Sequence, residues 1–159
     1  MNRLPIVTLP AALLVAPLAA SAAEKYDAGT FEGRGASVTA NVGSSLAPRL
    51  LGKPVVVRIH ADWCPACKQT EPMLAAMKRA YGDRVTFITY DVTNAKTAAR
   101  ASADAKADGL AKFYDATKAA TSTVAVIDAK TGAVVAELYN DIEEADYTQA
   151  IERALKGTK

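Results

Sequence analysis

The sequence predicts an α/β fold in which a mixed β-sheet has helices on both of its faces. Two features of the order of its elements predict it: the connection between the first two strands and the connection between the last two. The patterned segments follow the order β-α-β-α-α-β-β-α, so a helix joins the first two strands and favours parallel pairing, while a short turn joins the last two and favours a hairpin. The chain has 159 residues, of which 50% are hydrophobic and 23% are charged. This is enough for one compact domain with a core, and too little for two domains of ordinary size.

Four runs rich in β-branched and aromatic residues predict the strands. They are "PVVVRIHA", "RVTFITYDV", "STVAVID" and "AVVAELY", which begin at positions 54, 84, 122 and 133. Runs of this length and composition, bounded by turn residues, are typical of buried strands. The turn "AKTG" separates the third run from the fourth and predicts a hairpin there.

A long helix is predicted between the first two strands, over "CPACKQTEPMLAAMKRAYG". Pro65 suits its first turn, and Gly82 suits its end. Pro72 is expected to kink it. A short helix is also predicted before the first strand, over "SSLAPRLLGK". The apolar residues that share one face of the long helix are Met73, Leu74, Met77 and Tyr81.

The second half of the chain supplies the remaining helices. Residues 94–119 are rich in alanine and lysine, and Gly109 is expected to divide them into two helices. The first, around 94–107, has almost no large apolar residues, so we expect an inserted helix that lies on the surface. The final helix is predicted over "DIEEADYTQAIERALK", with a capping box formed by Asp141 and Glu144. Its predicted buried stripe comprises Tyr147, Ile151, Ala154 and Leu155.

The N-terminal segment has the pattern of a secretory signal peptide. One basic residue, Arg3, precedes an uncharged stretch that ends in small residues before Glu24. An uncleaved membrane anchor is the alternative, but three prolines within the stretch make a poor spanning helix. The predicted organisation is a signal peptide at 1–22, an irregular lead-in at 23–43 and one domain at 44–159. We therefore expect an exported protein, periplasmic or secreted, whose mature form is soluble and monomeric.

The composition limits the possible partners. The formal net charge is only +2, and no run of like charges is present, so nothing favours nucleic acid as a partner. Apart from Met1, the methionines are Met73 and Met77, which core packing explains better than a methionine-rich metal site.

The stretch "RIHADWCPACK" contains both cysteines, the one tryptophan and the one histidine of the chain. Its Cys64 and Cys67 can form a redox-active pair, part of a metal site or a structural disulfide. A structural disulfide persists in an oxidising compartment. However, a bridge that closes so short a loop stabilises a domain by only roughly 2 kcal/mol. The spacing therefore favours a redox role.

The run "VVVRIHADWCPACK", with Pro72 five residues after the second cysteine and then strand, helix, hairpin and helix, resembles the thioredoxin family. The resemblance covers about residues 50–156. It implies a thioredoxin-like fold, with a central mixed sheet of four to five strands and helices on both faces. It also implies a thiol-disulfide oxidoreductase in which Cys64 is the nucleophile and Cys67 resolves the mixed disulfide. No cofactor other than this disulfide is implied, and the partners are protein thiols or disulfides and a membrane or periplasmic redox partner.

The local physical chemistry favours the same roles. Cys64 is expected at a helix N-terminus, where unpaired N–H groups and the helix dipole stabilise a thiolate. Cys67 lies one turn further on and is expected to be more buried. Trp63 is expected either to cover one side of the site or to lie in the core. Pro65 and Ala66 complete the motif between the cysteines.

Arg58 departs from the pattern of the family. Relatives that resemble this chain carry a buried aspartate at that position, and its partner lysine is matched here by Phe87. A guanidinium near the thiols would favour thiolate and make the disulfide a better oxidant. Alternatively, Arg58 reaches solvent or pairs with an acid such as Asp91 or Glu137.

The segment "TSTV" before the third strand is a second departure, because Ser122 takes the place of the family's cis-proline. A cis bond before serine would cost about 3–4 kcal/mol, so the isomer is left open. We expect the segment to place Thr121 and Ser122 beside Cys64. The backbone of Thr121 would then pair with extended substrate, as the resemblance implies. The Ser122 hydroxyl either donates to the Cys64 thiolate or has no special role.

His60 is the third departure, at a position that is often aromatic in relatives. Strand alternation places it on the same face as Arg58. A hydrogen bond to Asp91, at the end of the next strand, would make it a packed structural histidine, and this is favoured over a direct catalytic role.

These departures leave a second function class open. The two thiolates, with His60 and a second chain, could bind zinc, copper or an iron–sulfur cluster. Against this, the chain contains one CxxC motif and no HxxxH motif. A binding module with an inactive CxxC is less favoured still.

Overall fold

The computed structural model describes residues 45–157. The predicted signal peptide at 1–22 and lead-in at 23–43 lie outside these residues. The strands are β1 (Val55–His60), β2 (Thr86–Asp91), β3 (Thr123–Ile127) and β4 (Val134–Tyr139). The helices are α1 (Pro65–Tyr81), α2 (Ala95–Asp108), α3 (Ala111–Thr117) and α4 (Glu144–Gly157), and a short 3₁₀ helix spans Pro48–Leu50.

The four strands form one mixed sheet in the order β2-β1-β3-β4. β1 pairs with β2 in parallel, and β3 is antiparallel to both β1 and β4. The predicted parallel pair and C-terminal hairpin are therefore confirmed. In the central register Arg58 lies between Thr89 on β2 and Val124 on β3. This position is in the middle of the sheet, below the end at which β1 leads into α1.

The main apolar core lies between one face of the sheet and helices α2 and α3. The inward-facing Val57 and Ile59 of β1 pack there with Phe113 and with alanines of α2. Helix α2 is present where it was predicted, but only its outer face is at the surface, because Ala101 and Ala105 are buried. Small side chains allow this helix to approach β2 closely. The lack of large apolar residues had instead suggested a helix that lies wholly on the surface.

The predicted apolar face of α1 is confirmed, since Met73, Leu74, Met77 and Tyr81 are buried. The start of the last helix differs from the prediction. Helix α4 begins at Glu144, and the Asp141 carboxylate instead accepts a hydrogen bond from the Glu143 N–H at 2.8 Å. On its buried face, Leu155 is only partly buried. The buried residues of α4 are Tyr147, Ala150, Ile151 and Ala154.

A buried carboxylate fixes the end of α2. Asp108 is 1% exposed, forms an ion pair with Arg49 and accepts a hydrogen bond from the Tyr90 hydroxyl at 2.9 Å. Its backbone carbonyl accepts from the Ala47 N–H at 3.0 Å. These contacts join the segment before β1 to the corner between α2 and α3. Gly109 forms that corner with φ of 78°, as its predicted dividing role requires.

Within residues 45–157, no helix is both long and apolar enough to cross a membrane.

Replacing Gly109 with alanine should destabilise the fold far more than replacing Gly52. Both glycines have positive φ, but a Cβ at Gly109 would lie 2.2 Å from the Ser45 carbonyl oxygen, whereas nothing lies within 4 Å of one at Gly52. We expect Gly52→Ala to cost about 1 kcal/mol of unfolding free energy from backbone strain, and Gly109→Ala about 2–4 kcal/mol from strain plus the clash. Denaturant unfolding measures both. Equal losses would show that the corner is not closely packed.

Candidate active site

Cys64 lies where β1 has ended and α1 begins. Its backbone N–H donates to the Ala61 carbonyl at 3.1 Å, which closes the turn between the two elements. Cys64 is the N-cap residue of α1, and its sulfur accepts the backbone N–H of Cys67 at 3.1 Å. Pro65 occupies the first helical turn, where its missing N–H costs nothing. The motif thus folds locally because one thiol takes the place of a capping hydroxyl.

The two sulfurs differ in exposure in the predicted sense. Both cysteines are free thiols in this structure. Cys64 retains 4% of its surface, whereas Cys67 is fully buried and directs its sulfur towards the Ile59 carbonyl at 3.9 Å. Between them, Pro65 is exposed and Ala66 partly buried. An approaching sulfur can therefore reach Cys64 before Cys67.

The two thiols also differ in acidity. Burial raises the pKa of Cys64, but hydrogen bonds from the side chains of Cys67 and Thr121 and from the helix N-terminus outweigh it, so the net pKa is lowered. Burial, and next the hydrogen bond with Cys64, raise the pKa of Cys67, although the hydrogen bond with the Ala61 backbone and then the Arg58 charge oppose them. Near neutral pH, Cys64 is thus the sulfur that more readily becomes a thiolate.

The segment before β3 lies beside the cysteines, as predicted. Thr121 hydrogen-bonds to Cys64 through its side chain. Ser122 has φ of 71°, and the described residues contain no cis peptide bond. Its N–H donates to the Ile59 carbonyl at 2.9 Å, a bond that a proline could not form. Its hydroxyl is buried without a partner, so the hydrogen bond considered between Ser122 and Cys64 is not formed.

Trp63 is at the surface beside the site and not in the core. It is 61% exposed, and its indole N–H donates to the Thr93 carbonyl at 3.0 Å. The Thr93 hydroxyl also accepts from the Asp62 N–H at 3.0 Å, and the Asp91 carboxylate accepts from the Thr93 N–H at 2.8 Å. Thr93 therefore holds the loop that carries Trp63. Sequence reasoning missed it, although an aspartate two residues before a threonine is a common turn signal.

Arg58 is buried and pairs with an acid, but not with either acid suggested from the sequence. Its Nη1 lies 2.5 Å from Glu71 Oε2, and its Nη2 contacts His60 Nδ1. Glu137 lies on the opposite face of the sheet from Arg58, because successive side chains of a strand alternate and Glu137 pairs with Ala125. Glu71 was missed. Its spacing four residues after Cys67, on the same side of α1, is the signal that could have identified it.

His60 shares a face with Arg58, as predicted, but its hydrogen-bond partner is not Asp91. Its Nε2 lies 3.1 Å from Asp62 Oδ1, and its Nδ1 contacts the guanidinium of Arg58. A guanidinium can only donate, so Nδ1 accepts and Nε2 carries the proton that is donated to Asp62. Asp91 is opposite His60 in the strand register and bonds Thr93 instead. His60 is a packed, satisfied histidine, with Arg58 and Asp62 as its partners.

Within the described residues, one chain does not by itself assemble the metal centre considered from the sequence. Among residues 45–157, no group of three or more histidine, cysteine, aspartate or glutamate side chains could hold a metal ion. His60, the proposed third ligand, has both ring nitrogens engaged. The arrangement is suited to sulfur exchange instead, with an accessible acidic thiol and a buried thiol one helical turn away.

The Thr121 hydroxyl should be a measurable determinant of the acidity of Cys64. Thr121→Val removes a hydrogen bond that lowers the pKa of Cys64, so alkylation of the reduced protein should shift to higher pH. Ser122→Ala is the matched control, because the Ser122 hydroxyl has no partner and its loss should leave the profile unchanged. The pH dependence of alkylation, which reaches Cys64 first, measures both. A shift in the Ser122 variant alone would contradict this geometry.

Comparison with known sequences agrees with the site. Residues 42–107 match the thioredoxin family. The chain is 42% identical over 45 residues to the thioredoxin-like protein HCF164, chloroplastic, of Oryza sativa subsp. japonica, covering 28% of this chain and 17% of that protein. It is also 42% identical over 45 residues to the thiol:disulfide interchange protein TxlA homolog of Synechocystis sp., covering 28% of this chain and 25% of that one. The matches thus span no more than a quarter of these relatives.

Solved structures support the fold. MTB dsbF, in its mixed oxidised and reduced forms, superposes with a TM-score of 0.51 at 18% identity, covering 74% of this chain and 99% of that one. A thiol:disulfide interchange protein of the thioredoxin family from Chlorobium tepidum gives 0.51 at 20% identity, covering 76% and 93%. These likenesses concern the fold alone.

The sheet order, the cysteine pair at the start of α1 and the matched segment lead to one assignment. The described residues adopt a thioredoxin-like fold, and the segment 42–107, which contains the cysteine pair, matches the thioredoxin family.

Proposed function

We propose that this protein is a thiol-disulfide oxidoreductase that exchanges thiols and disulfides with other proteins through Cys64 and Cys67. The observation that carries the proposal is the asymmetry of the two thiols. Cys64 caps α1, keeps some exposure and has a lowered pKa, whereas Cys67 is fully buried with a raised pKa. Thiol-disulfide exchange needs one accessible sulfur that attacks the substrate and a second sulfur that later attacks the mixed disulfide. The two cysteines differ in this way.

The reaction needs no cofactor other than the cysteine pair. In the reducing direction, the Cys64 thiolate attacks one sulfur of a substrate disulfide, forms a bond to it and releases the other as a thiolate. Cys67, after losing its proton, attacks Cys64 Sγ, closes the Cys64–Cys67 disulfide and releases the second substrate thiolate. Two electrons pass from the cysteine pair to the substrate, and the two substrate thiolates take up the two protons that the cysteines lose. The reverse sequence oxidises a substrate dithiol.

Residues around Cys64 form the surface for a protein substrate in this proposal. Trp63 presents an exposed indole whose N–H is already satisfied, so its ring is free for apolar contact. Thr121 hydrogen-bonds to Cys64, and we propose that its backbone pairs with an extended substrate segment. Pro65 and Ala66 complete the rim.

We further propose that the protein acts outside the cytoplasm, in the periplasm or after secretion, as a soluble monomer. The support is the signal-like segment at 1–22 of the sequence. The rice relative is described as chloroplastic and the Synechocystis relative as a thiol:disulfide interchange protein. In such a compartment, a membrane or periplasmic redox partner would exchange electrons with the Cys64–Cys67 pair.

Single-cysteine variants test the assigned roles. Cys64→Ser should reduce dithiothreitol-driven reduction of a protein disulfide to the uncatalysed rate, because the accessible nucleophile is lost. Cys67→Ser should also lose turnover but should accumulate a mixed disulfide through Cys64, which mass spectrometry detects.

The opposite pattern, with the mixed disulfide trapped in Cys64→Ser, would reverse the roles. Turnover that survives Cys64→Ser would refute the proposed mechanism. Metal analysis of anaerobically purified protein, with Cys64→Ser as control, tests the other function class; a stoichiometric metal lost in the variant would contradict the exchange function.

A further inference from the structure

Cys67 has to become a thiolate in a place that disfavours charge. It is fully buried, and burial is the largest cause of its raised pKa. Within residues 45–157, no carboxylate or imidazole is hydrogen-bonded to its sulfur, whose hydrogen-bond partners are the Ile59 carbonyl, the Ala61 backbone and Cys64. A side chain that could accept the Cys67 proton directly is therefore missing, and the resolving step needs another source of assistance.

The guanidinium of Arg58 lies in the same interface between β1 and α1 as this sulfur, because it pairs with Glu71, one helical turn after Cys67, and Arg58 precedes Ile59, whose carbonyl faces the Cys67 sulfur. The Arg58 side chain is 8% exposed, and its charge acts to lower the pKa of Cys67. Its Nη1 is held by Glu71 of α1, and its Nη2 by His60 of the same strand. The third nitrogen, Nε, is buried and has no partner. A buried cation with one orphaned donor is costly, so a structural role alone explains it poorly.

We propose that Arg58, held by Glu71 and His60, is a positioning residue that serves as the fixed counter-ion of the Cys67 thiolate. The inference rests on the proposed exchange function and names how its resolving step is promoted. An arginine does not deprotonate in proteins, so it assists by charge and not as a base. The proton of Cys67 passes to the substrate thiolate that the first attack releases. The exchange therefore still transfers two electrons and two protons to the substrate.

Glu71 and Arg58 should act in opposite senses. Glu71 neutralises part of the guanidinium charge, but its side chain is 61% exposed, so solvent screens its own effect on the buried sulfur. A buried charge acts through a lower effective dielectric. Glu71→Gln keeps an oxygen that can accept from Nη1 while removing the negative charge, which leaves the field of Arg58 less compensated.

Other ionisable groups surround this cluster, and apart from Cys64, which the test replaces with serine, they are the same in all the variants compared. Cys64 faces Cys67 from the same helix. His60, on β1, contacts the Arg58 guanidinium through Nδ1. On α4, the charge of Arg58 acts to lower the pKa of Tyr147, and the Tyr147 hydroxyl donates to the Asp141 carbonyl at 2.8 Å. Thr121 and Ser122, on the remaining side, do not titrate in this range.

The test measures the thiolate fraction of Cys67 through an alkaline pH titration, by ultraviolet absorbance, in the full-length Cys64→Ser protein. Adding Arg58→Met should lower this fraction roughly tenfold. Adding Glu71→Gln should raise it, by less. Lys78→Met is the matched control, because Lys78 lines the same cleft between α1 and β2 but is exposed, and it should change nothing.

An unchanged fraction in Arg58→Met, a change of the same sign in Arg58→Met and Glu71→Gln, or an equal effect of Lys78→Met would each overturn the proposal. If Arg58→Met does not fold, as circular dichroism would show, Glu71→Gln decides, since its residue is at the surface: a rise supports the proposal and any other result refutes it. Failure of the exchange function itself would appear separately, as absence of turnover in the two-cysteine protein with these thiolate shifts intact.

Discussion

The capping of α1 by a thiol is the interaction on which the rest of the site depends. The Cys67 N–H points at Cys64 Sγ at 3.1 Å, so the start of the helix both needs the sulfur and polarises it. A neutral thiol is a weak hydrogen-bond acceptor, whereas a thiolate is a strong one. The fold is therefore best satisfied when Cys64 is ionised. The same contact fixes Cys67 one turn along, which brings the second sulfur within reach of the first.

The Ile59 carbonyl links this helix start to the loop before β3. It accepts the Ser122 N–H at 2.9 Å and faces the Cys67 sulfur at 3.9 Å. Ser122 thus holds the loop against β1 through a main-chain donor, at the cost of a positive φ that serine seldom adopts. Thr121 is carried into contact with Cys64 as a result. The loop is therefore held beside the sulfur by this main-chain hydrogen bond and not by a cis-proline.

Much of the fold and the position of the site could be predicted from the sequence, because they depend on local patterns. The β-branched runs, Gly109 and the CxxC spacing each act over a few residues. The partners of Arg58 and His60 could not be predicted, because they depend on which side of α1 faces the sheet. Glu71 reaches Arg58 for that reason, and Asp62 competes successfully with Asp91 for His60. The shift of the hydroxyl contact from Ser122 to Thr121 depends on a backbone angle that no residue type specifies.

The reduction potential of the Cys64–Cys67 pair, measured by equilibration with glutathione, reports both the exchange function and the effect of the surrounding charges on the thiolates. One reversible two-electron transition is expected. Because the helix start and Arg58 both stabilise thiolates, the reduced form is favoured, and the potential should lie above the value of about −270 mV that is typical of thioredoxin. Absence of a reversible disulfide would contradict the exchange function. A potential at or below about −270 mV would contradict the role given to these charges.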